Sequence, residues 1–143
     1  MARVDFYVLA AAGEQSRYTF ACRLAEKAYR LDNCVHIETS SAEDARRMDE
    51  LLWTFRDGSF VPHHLLGSER NDLPSPVTIG CDKAAAENCD LLINLCDEVQ
   101  ADFVAAFPRI AELVSSDEES RQRSRKRFVL YRDQGHTLET HNV

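Results

Sequence analysis

Three arginines and one phenylalanine recur at helical spacing near the end of the chain. Arg121, Arg125, Phe128 and Arg132 would lie on one face of a helix, because each is three or four residues from the next. Guanidinium groups bind carboxylates through paired hydrogen bonds, and an aromatic ring adds an apolar contact. Such a face suits an acidic peptide with a hydrophobic anchor and a terminal carboxylate. The alternative is a solvated helix face, because isolated surface charges contribute little.

The charge of the chain is unevenly distributed. Residues 120–132 contain six basic side chains and no acidic one, although the whole chain has a net charge of −7. The remainder is therefore strongly acidic, and it would repel a nucleic-acid duplex. We expect any contact with nucleic acid to be indirect, through another protein.

A second group of residues could bind a protein partner. Trp53 follows Leu52, which belongs to an apolar helical stripe, so the indole points about 100° away from that stripe. Phe60 lies in the following loop, just after Gly58. Two exposed aromatic rings would make a strong interface site. The alternative, that the loop folds back and buries both rings, stays open at this point.

Phosphate-binding and nucleophile motifs are missing from the sequence. The five glycines are scattered, and residues 10–14 after the first strand contain one glycine and an acid where a phosphate would sit. No local signature marks a cysteine–histidine nucleophile pair. We expect no catalytic residue and no cofactor. A small α/β hydrolase or nucleotide-dependent transferase with an unrecognised site is the alternative.

The histidines and cysteines do not form a recognisable metal motif. His63 and His64 are adjacent, but no spacing supplies a third and a fourth ligand. The number of cysteines is odd and no two of them form a C-x-x-C pair, so we expect reduced, mostly buried thiols and no metal. These cysteines are Cys22, Cys34, Cys81, Cys89 and Cys96.

Strand and helix patterns alternate along the chain. The predicted strands are Val4–Leu9, Cys34–Glu38, Val77–Gly80, Asp90–Leu95 and Arg109–Val114. The predicted helices run from Ser16 to Leu31, from Ser40 or Ser41 to Phe55, and from a capping box at Ser116 and Glu119 to Asp133, with Gly135 beyond its end. Their inward residues are Phe20, Leu24, Ala28 and Leu31 in the first helix and Ala45, Met48, Leu52 and Phe55 in the second. Residues 56–75 are expected to form a loop and residues 81–89 a helical turn.

This order predicts a single α/β domain over residues 1–143. Apolar strands that alternate with helices favour a three-layer α/β/α sandwich with a mostly parallel, five-stranded core sheet. The sequence shows no membrane-length apolar run and no signal-peptide pattern, so we expect a cytoplasmic protein without membrane contact.

Several blocks resemble the DNA polymerase III chi subunit family. The most distinctive are residues 51–53, with sequence Leu-Leu-Trp, and residues 59–65, with sequence Ser-Phe-Val-Pro-His-His-Leu. Residues 6–9, 76–79, 91–95 and 125–141 are also similar to family blocks, in the same order and over essentially the whole chain.

The resemblance implies a subunit that performs no chemistry. It implies contact with the psi subunit of the clamp loader through Trp53 and Phe60, or with a helicase-like protein at the same place. It further implies contact between the last helix and the acidic C-terminal tail of single-stranded DNA-binding protein. Those contact residues would be Arg121, Arg125 and Phe128, with Val114 nearby. Val129 stands where the family pattern has a lysine, and either Arg132 or Lys126 would compensate for it.

Overall fold

The computed structural model describes residues 2–56, 58, 60–66, 75–81, 89–98 and 101–143, with only the backbone at residue 101. This part of the chain forms alternating strands and helices. The strands are β1 (Arg3–Val8), β2 (Val35–Glu38), β3 (His63–Leu65), β4 (Val77–Gly80), β5 (Leu91–Asn94), β6 (Arg109–Val114) and β7 (Thr137–Asn142). The helices are α1 (Glu14–Arg30), α2 (Ala42–Thr54), α3 (Ala101–Val104) and α4 (Glu118–Asp133).

The strands form one parallel sheet in the order β3-β4-β2-β5-β6-β1-β7. The predicted α/β class and parallel sheet are confirmed. The predicted number of five strands was wrong, because the described sheet has seven. The five predicted strands occupy the buried centre. The two that were missed, β3 and β7, are the edges, where partly exposed polar residues replace the apolar runs of buried strands.

Helices cover both faces of the sheet. Successive strand residues point to opposite faces: Leu91 and Ile93 pack in the layer with α1 and α2, whereas Leu92 packs in the layer with α3 and α4. The first layer lies over Val35, Ile37 and Ile79 among others, and the second over Val4, Phe6 and Ile110 among others. This is the predicted three-layer sandwich.

The inward side of α1 differs from the predicted stripe. Of the predicted residues Ala28 is buried, but Leu31 is 66% exposed, and the fully buried residues of α1 include Ala21, Cys22 and Ala25. Three small side chains there let the helix lie close to the sheet, and Phe20 and Leu24 pack only at its margin. Ser16 is not the cap, because its hydroxyl donates to the Gly13 carbonyl at 2.7 Å within a helix that starts at Glu14.

The second helix agrees with the sequence prediction. Ser41 caps α2 by accepting a 3.1 Å hydrogen bond from the Asp44 amide, while Ser40 accepts from the amide of Asp97. The predicted inward residues Ala45, Met48 and Leu52 are buried, and Phe55 is partly buried. Trp53 therefore leaves the helix on the side that faces away from the sheet.

The ends of α4 were predicted with mixed success. Gly135 takes a left-handed backbone with φ of 85°, and the amide of His136 donates to the Tyr131 carbonyl, which completes the expected C-terminal cap. The predicted capping box at Ser116 was wrong. Asp117 is the N-cap residue, and its carboxylate turns away to accept from the Gly13 amide at 3.1 Å. The predicted turn over residues 81–89 lies almost wholly outside the described residues.

Candidate protein-docking surfaces

A buried polar network fixes α4 against the sheet. Glu112 of β6 receives hydrogen bonds from Arg127 at 2.7 Å, from Tyr131 at 2.6 Å and from Asn94 at 2.8 Å. Arg127 also donates to the Cys96 carbonyl. Burial and the Glu112 carboxylate both raise the pKa of Tyr131, so the hydroxyl keeps its proton. The sequence analysis missed this network, although Glu112 inside an apolar strand was the signal for it.

With Arg127 and Tyr131 turned inward, the opposite side of α4 faces solvent. We name Arg121, Arg125, Phe128 and Arg132 the basic stripe. Its three guanidinium groups are exposed and Phe128 is 36% exposed, with its ring 5.5 Å from that of Phe6. The aromatic ring therefore has one side on the core and the other in solvent.

The arginines of the basic stripe are only weakly engaged within the chain. Arg125 lies 3.5 Å from Glu118, and Arg132 lies 3.7 Å from Asp133, in pairs whose side chains are all more than 60% exposed. Arg121 forms no ion pair with the described residues. Exposed pairs of this kind contribute about 1 kcal/mol at most, so an incoming carboxylate can replace them.

The other residues near the basic stripe have different roles. Val114, at the end of β6, is 4% exposed and packs in the same apolar layer as Phe6, so little of its side chain is left for a ligand to touch. Val129, next to Phe128 in the chain, is exposed, and so is Leu130. The sequence analysis did not identify Leu130, which belongs to the opposite flank of α4.

The rings of Trp53 and Phe60 form a second exposed patch, which we name the aromatic surface. Trp53 is 56% exposed and Phe60 is 61% exposed, and their ring centroids are 5.5 Å apart. The loop therefore does not bury them, and the alternative left open above is wrong. Beneath them the ring of His63 lies 4.8 Å from the indole.

The two surfaces lie far apart in the fold. The aromatic surface is carried by α2, which packs in one layer beside β3 and β4 at one edge of the sheet. The basic stripe is carried by α4, which packs in the other layer beside β6 and β7 at the opposite edge. The two surfaces therefore share neither a layer nor an edge of the sheet.

At the carboxyl-terminal ends of the strands, where α/β proteins often bind nucleotides, the carboxylate of Asp117 lies at the start of α1. Asp117 accepts from the amide of Gly13, and the amide of Ser116 donates to the Ala11 carbonyl at 3.0 Å. Hydrogen bonds from the Ser115 hydroxyl and from Gly13 lower the pKa of Asp117 to about 2. This ionised group lies where a phosphate would need backbone N–H donors.

One group of described side chains has ligand atoms close enough for a metal ion, and it lies on β1 and β7. Ligand atoms of Asp5, Glu139 and His141 lie within 4.8 Å of one another. The Arg3 guanidinium already lies between the two acids, 3.2 Å from Asp5 and 2.8 Å from Glu139. Burial opposes ionisation of Asp5, yet hydrogen bonds from His141, Arg3 and Arg109 hold its pKa below the usual value. The group is a network of ion pairs.

The cysteines are mainly packing residues. Cys22, Cys89 and Cys96 are buried, and Cys34 and Cys81 are partly buried. Burial raises the pKa of both Cys22 and Cys89 to about 12, which keeps these thiols protonated and unreactive.

No helix among the described residues is long and apolar enough to cross a membrane.

Fold and surfaces together define the class of this protein: a small α/β sandwich whose exposed aromatic and basic groups form two separate patches on opposite layers. The comparisons with known proteins make the assignment specific. The chain belongs to the DNA polymerase III chi subunit family, whose model matches residues 1–139. The predicted resemblance is confirmed, and the family places the chain among the subunits of a replicative DNA polymerase.

Curated relatives carry the same family name. The DNA polymerase III subunit chi of Pseudomonas aeruginosa is 40% identical over 143 residues, covering 100% of this chain and 98% of that protein. The chi subunit of Haemophilus influenzae is 35% identical over 140 residues, covering 97% and 96%. The crystal structure of T4 UvsW has a TM-score of 0.70 at 8% identity, over 99% of this chain and 41% of that one. At that identity the likeness concerns the fold alone.

Proposed function

We propose that this chain is a non-catalytic adaptor of the DNA polymerase III holoenzyme that joins two protein partners. The aromatic surface binds the psi subunit of the clamp loader, or a helicase at the same place. The basic stripe binds the acidic C-terminal tail of single-stranded DNA-binding protein. Contact with DNA is then indirect, as the acidic remainder of the chain favours.

The observation that carries this proposal is the exposure of the basic stripe. Three exposed guanidinium groups share a helix face with the partly exposed ring of Phe128. The opposite face of that helix is fixed to the sheet by buried hydrogen bonds to Glu112. A fixed helix presents its donors already oriented, which lowers the entropy cost of binding. An acidic peptide that ends in an aromatic residue with a free carboxylate matches this arrangement, because each acid meets a guanidinium and the ring meets Phe128.

The aromatic surface supports the second contact. Trp53 and Phe60 place two large rings in solvent side by side, and such residues supply much of the binding energy in protein interfaces. The single tryptophan of the chain is among them. A partner that inserts an apolar segment against both rings would remove them from water together.

An assembly experiment tests the adaptor function. A complex of the full chain with purified psi is titrated with a fluorescent acidic tail peptide, and the anisotropy of the peptide and the elution of psi are followed. Because the surfaces lie on opposite layers, we expect the peptide to bind the complex as tightly as it binds the chain alone. Displacement of psi by the peptide would contradict the proposal, as would peptide binding that is lost in the complex.

A further inference from the structure

His63 lies buried beneath the aromatic surface, with both ring nitrogens close to oxygen atoms. Nδ1 is 2.6 Å from the Val61 carbonyl oxygen, and Nε2 is 3.1 Å from the Asp49 carbonyl oxygen. Nε2 also lies 3.3 Å from a carboxylate oxygen of Asp49, and the imidazole itself has no exposed surface.

These contacts distinguish the protonation states of the ring. Carbonyl oxygens only accept hydrogen bonds, and a neutral imidazole has a single N–H. One nitrogen of a neutral ring would therefore face an oxygen without a proton between them. The doubly protonated ring donates on both sides, and the adjacent carboxylate of Asp49 supplies the opposite charge.

The charged groups around this contact are few among the described residues. Burial raises the pKa of Asp49, Glu50 raises it further, and the charges of His63 and His64 lower it. Both acids belong to α2 and both histidines to β3. The contact between α2 and β3 thus combines two acids with two bases, of which only His63 packs against Trp53.

The two nitrogen–oxygen contacts of His63 join the segments that carry the exposed rings. Val61 follows Phe60 directly in the chain, and the Asp49 carbonyl lies one helical turn before Trp53, where it accepts the amide of that residue within α2. The ring of His63 fills the space below the indole, at 4.8 Å and an interplanar angle of 56°. Movement of His63 would displace both rings of the aromatic surface.

We propose that His63 is the positioning residue of the aromatic surface, and that its doubly protonated form holds Trp53 and Phe60 in the arrangement that a protein partner recognises. This inference rests on the proposed partner-binding function. It adds a dependence on pH, since loss of the second proton breaks one of the two hydrogen bonds and loosens the loop from α2.

The fluorescence of the free protein gives the first test. Trp53 is the only tryptophan, so the intrinsic emission reports on this place alone. Indole emission responds to a charge beside the ring, and we expect wild-type emission to change with pH in a step that is absent from His63→Gln. His64→Gln is the matched control, because it removes the neighbouring histidine and should keep the step.

Partner capture gives the second test. His63→Gln keeps a donor near the Asp49 carbonyl. His63→Phe keeps a ring under Trp53 but offers no donor to the carbonyls of Val61 and Asp49. We expect psi binding to fall on the order of tenfold in His63→Phe and less in His63→Gln, because without the imidazole donors the loop that carries Phe60 is no longer joined to α2 and the two rings are no longer preorganised. Circular dichroism and melting confirm that each variant is folded.

The outcomes distinguish a failure of the role proposed for His63 from a failure of the proposed psi-binding function. Identical pH dependence of Trp53 emission in wild type and His63→Gln would overturn the role of His63, and so would full psi binding by a folded His63→Phe. Neither result bears on whether Trp53 contacts psi, which Trp53→Ala tests directly. If Trp53→Ala binds psi as wild type does, the proposed function of the aromatic surface fails instead.

Discussion

The hydroxyl of Tyr131 donates a 2.6 Å hydrogen bond to the carboxylate of Glu112, and this contact sets which side of α4 faces solvent. Arg127 donates to the same carboxylate from the preceding turn of the helix. Two inward residues four apart leave Arg125 and Phe128 on the outward side. The orientation of the basic stripe therefore depends on a network that is buried beneath it.

Removing the Glu112 carboxylate should destabilise the fold strongly. Glu112→Ala leaves the buried guanidinium of Arg127 without its counter-charge, so we expect a loss of about 3–5 kcal/mol in the free energy of unfolding. Tyr131→Phe removes one hydrogen bond and should cost about 1–3 kcal/mol. Urea unfolding followed by circular dichroism measures both. A Glu112→Ala variant as stable as wild type would show that the network does not hold α4.

Stability at acidic pH should report on Asp117. Its pKa is lowered from 3.8 to about 2, first by the Ser115 hydroxyl and next by the Gly13 amide. The folded state prefers the ionised carboxylate, so this stabilisation is present above pH 3.8 and is lost as the pH falls toward about 2. We expect Asp117→Ala to be less stable than wild type at neutral pH and the difference to shrink on acidification. A constant difference across that window would contradict the assignment.

Loss of the two exposed rings should separate binding from stability. Trp53→Ala combined with Phe60→Ala removes side chains that are mostly in solvent, so we expect a melting temperature close to that of wild type. Capture of psi in a pull-down should nevertheless be abolished, because large aromatic residues supply most of the contact energy. A collapse of the melting temperature would mean that the rings are structural, and the interface proposal would then fail.

Adding a cation to the basic stripe should increase its affinity. Val129 is exposed next to Phe128 in the chain, at the position where the family resemblance led us to expect a lysine. We expect Val129→Lys to bind an acidic tail peptide up to about fivefold more tightly at low salt, since an exposed ion pair contributes about 0.2–1 kcal/mol. The gain should disappear in high salt because the charges are then screened. An equal gain from Leu31→Lys, at an exposed site just after the end of α1, would show that the gain comes from overall charge and not from the basic stripe.

The central strands and the residues proposed to dock partners follow from local patterns, whereas the edge strands and the depth of burial do not. Apolar runs such as residues 91–94 predict a buried parallel strand, because both of its faces need apolar side chains. Edge strand β7 has only Leu138 as an apolar residue, so its sequence alone does not predict a strand. It becomes a strand by pairing with β1. The spacing of Arg121 and Arg125 predicts a shared face.

The exposure of a side chain cannot be predicted from local patterns, because it depends on residues that are distant in the sequence. The sequence could not distinguish a buried Trp53 from an exposed one, because this depends on the path of the following loop. The network around Glu112 joins residues from β5, β6 and α4. Only the fold brings those segments together, although a buried acid in β6 required partners of some kind.

Titration calorimetry with an acidic peptide that ends in phenylalanine and a free carboxylate tests the central claim most directly. We expect the wild-type chain to bind one peptide, with an affinity that falls as salt rises. Arg125→Ala should weaken binding by about 1.5–3 kcal/mol, while Arg46→Ala, an exposed arginine on α2, should bind as wild type does. Absence of binding by the wild-type chain, or equal affinity in Arg125→Ala, would contradict a tail-binding role for the basic stripe.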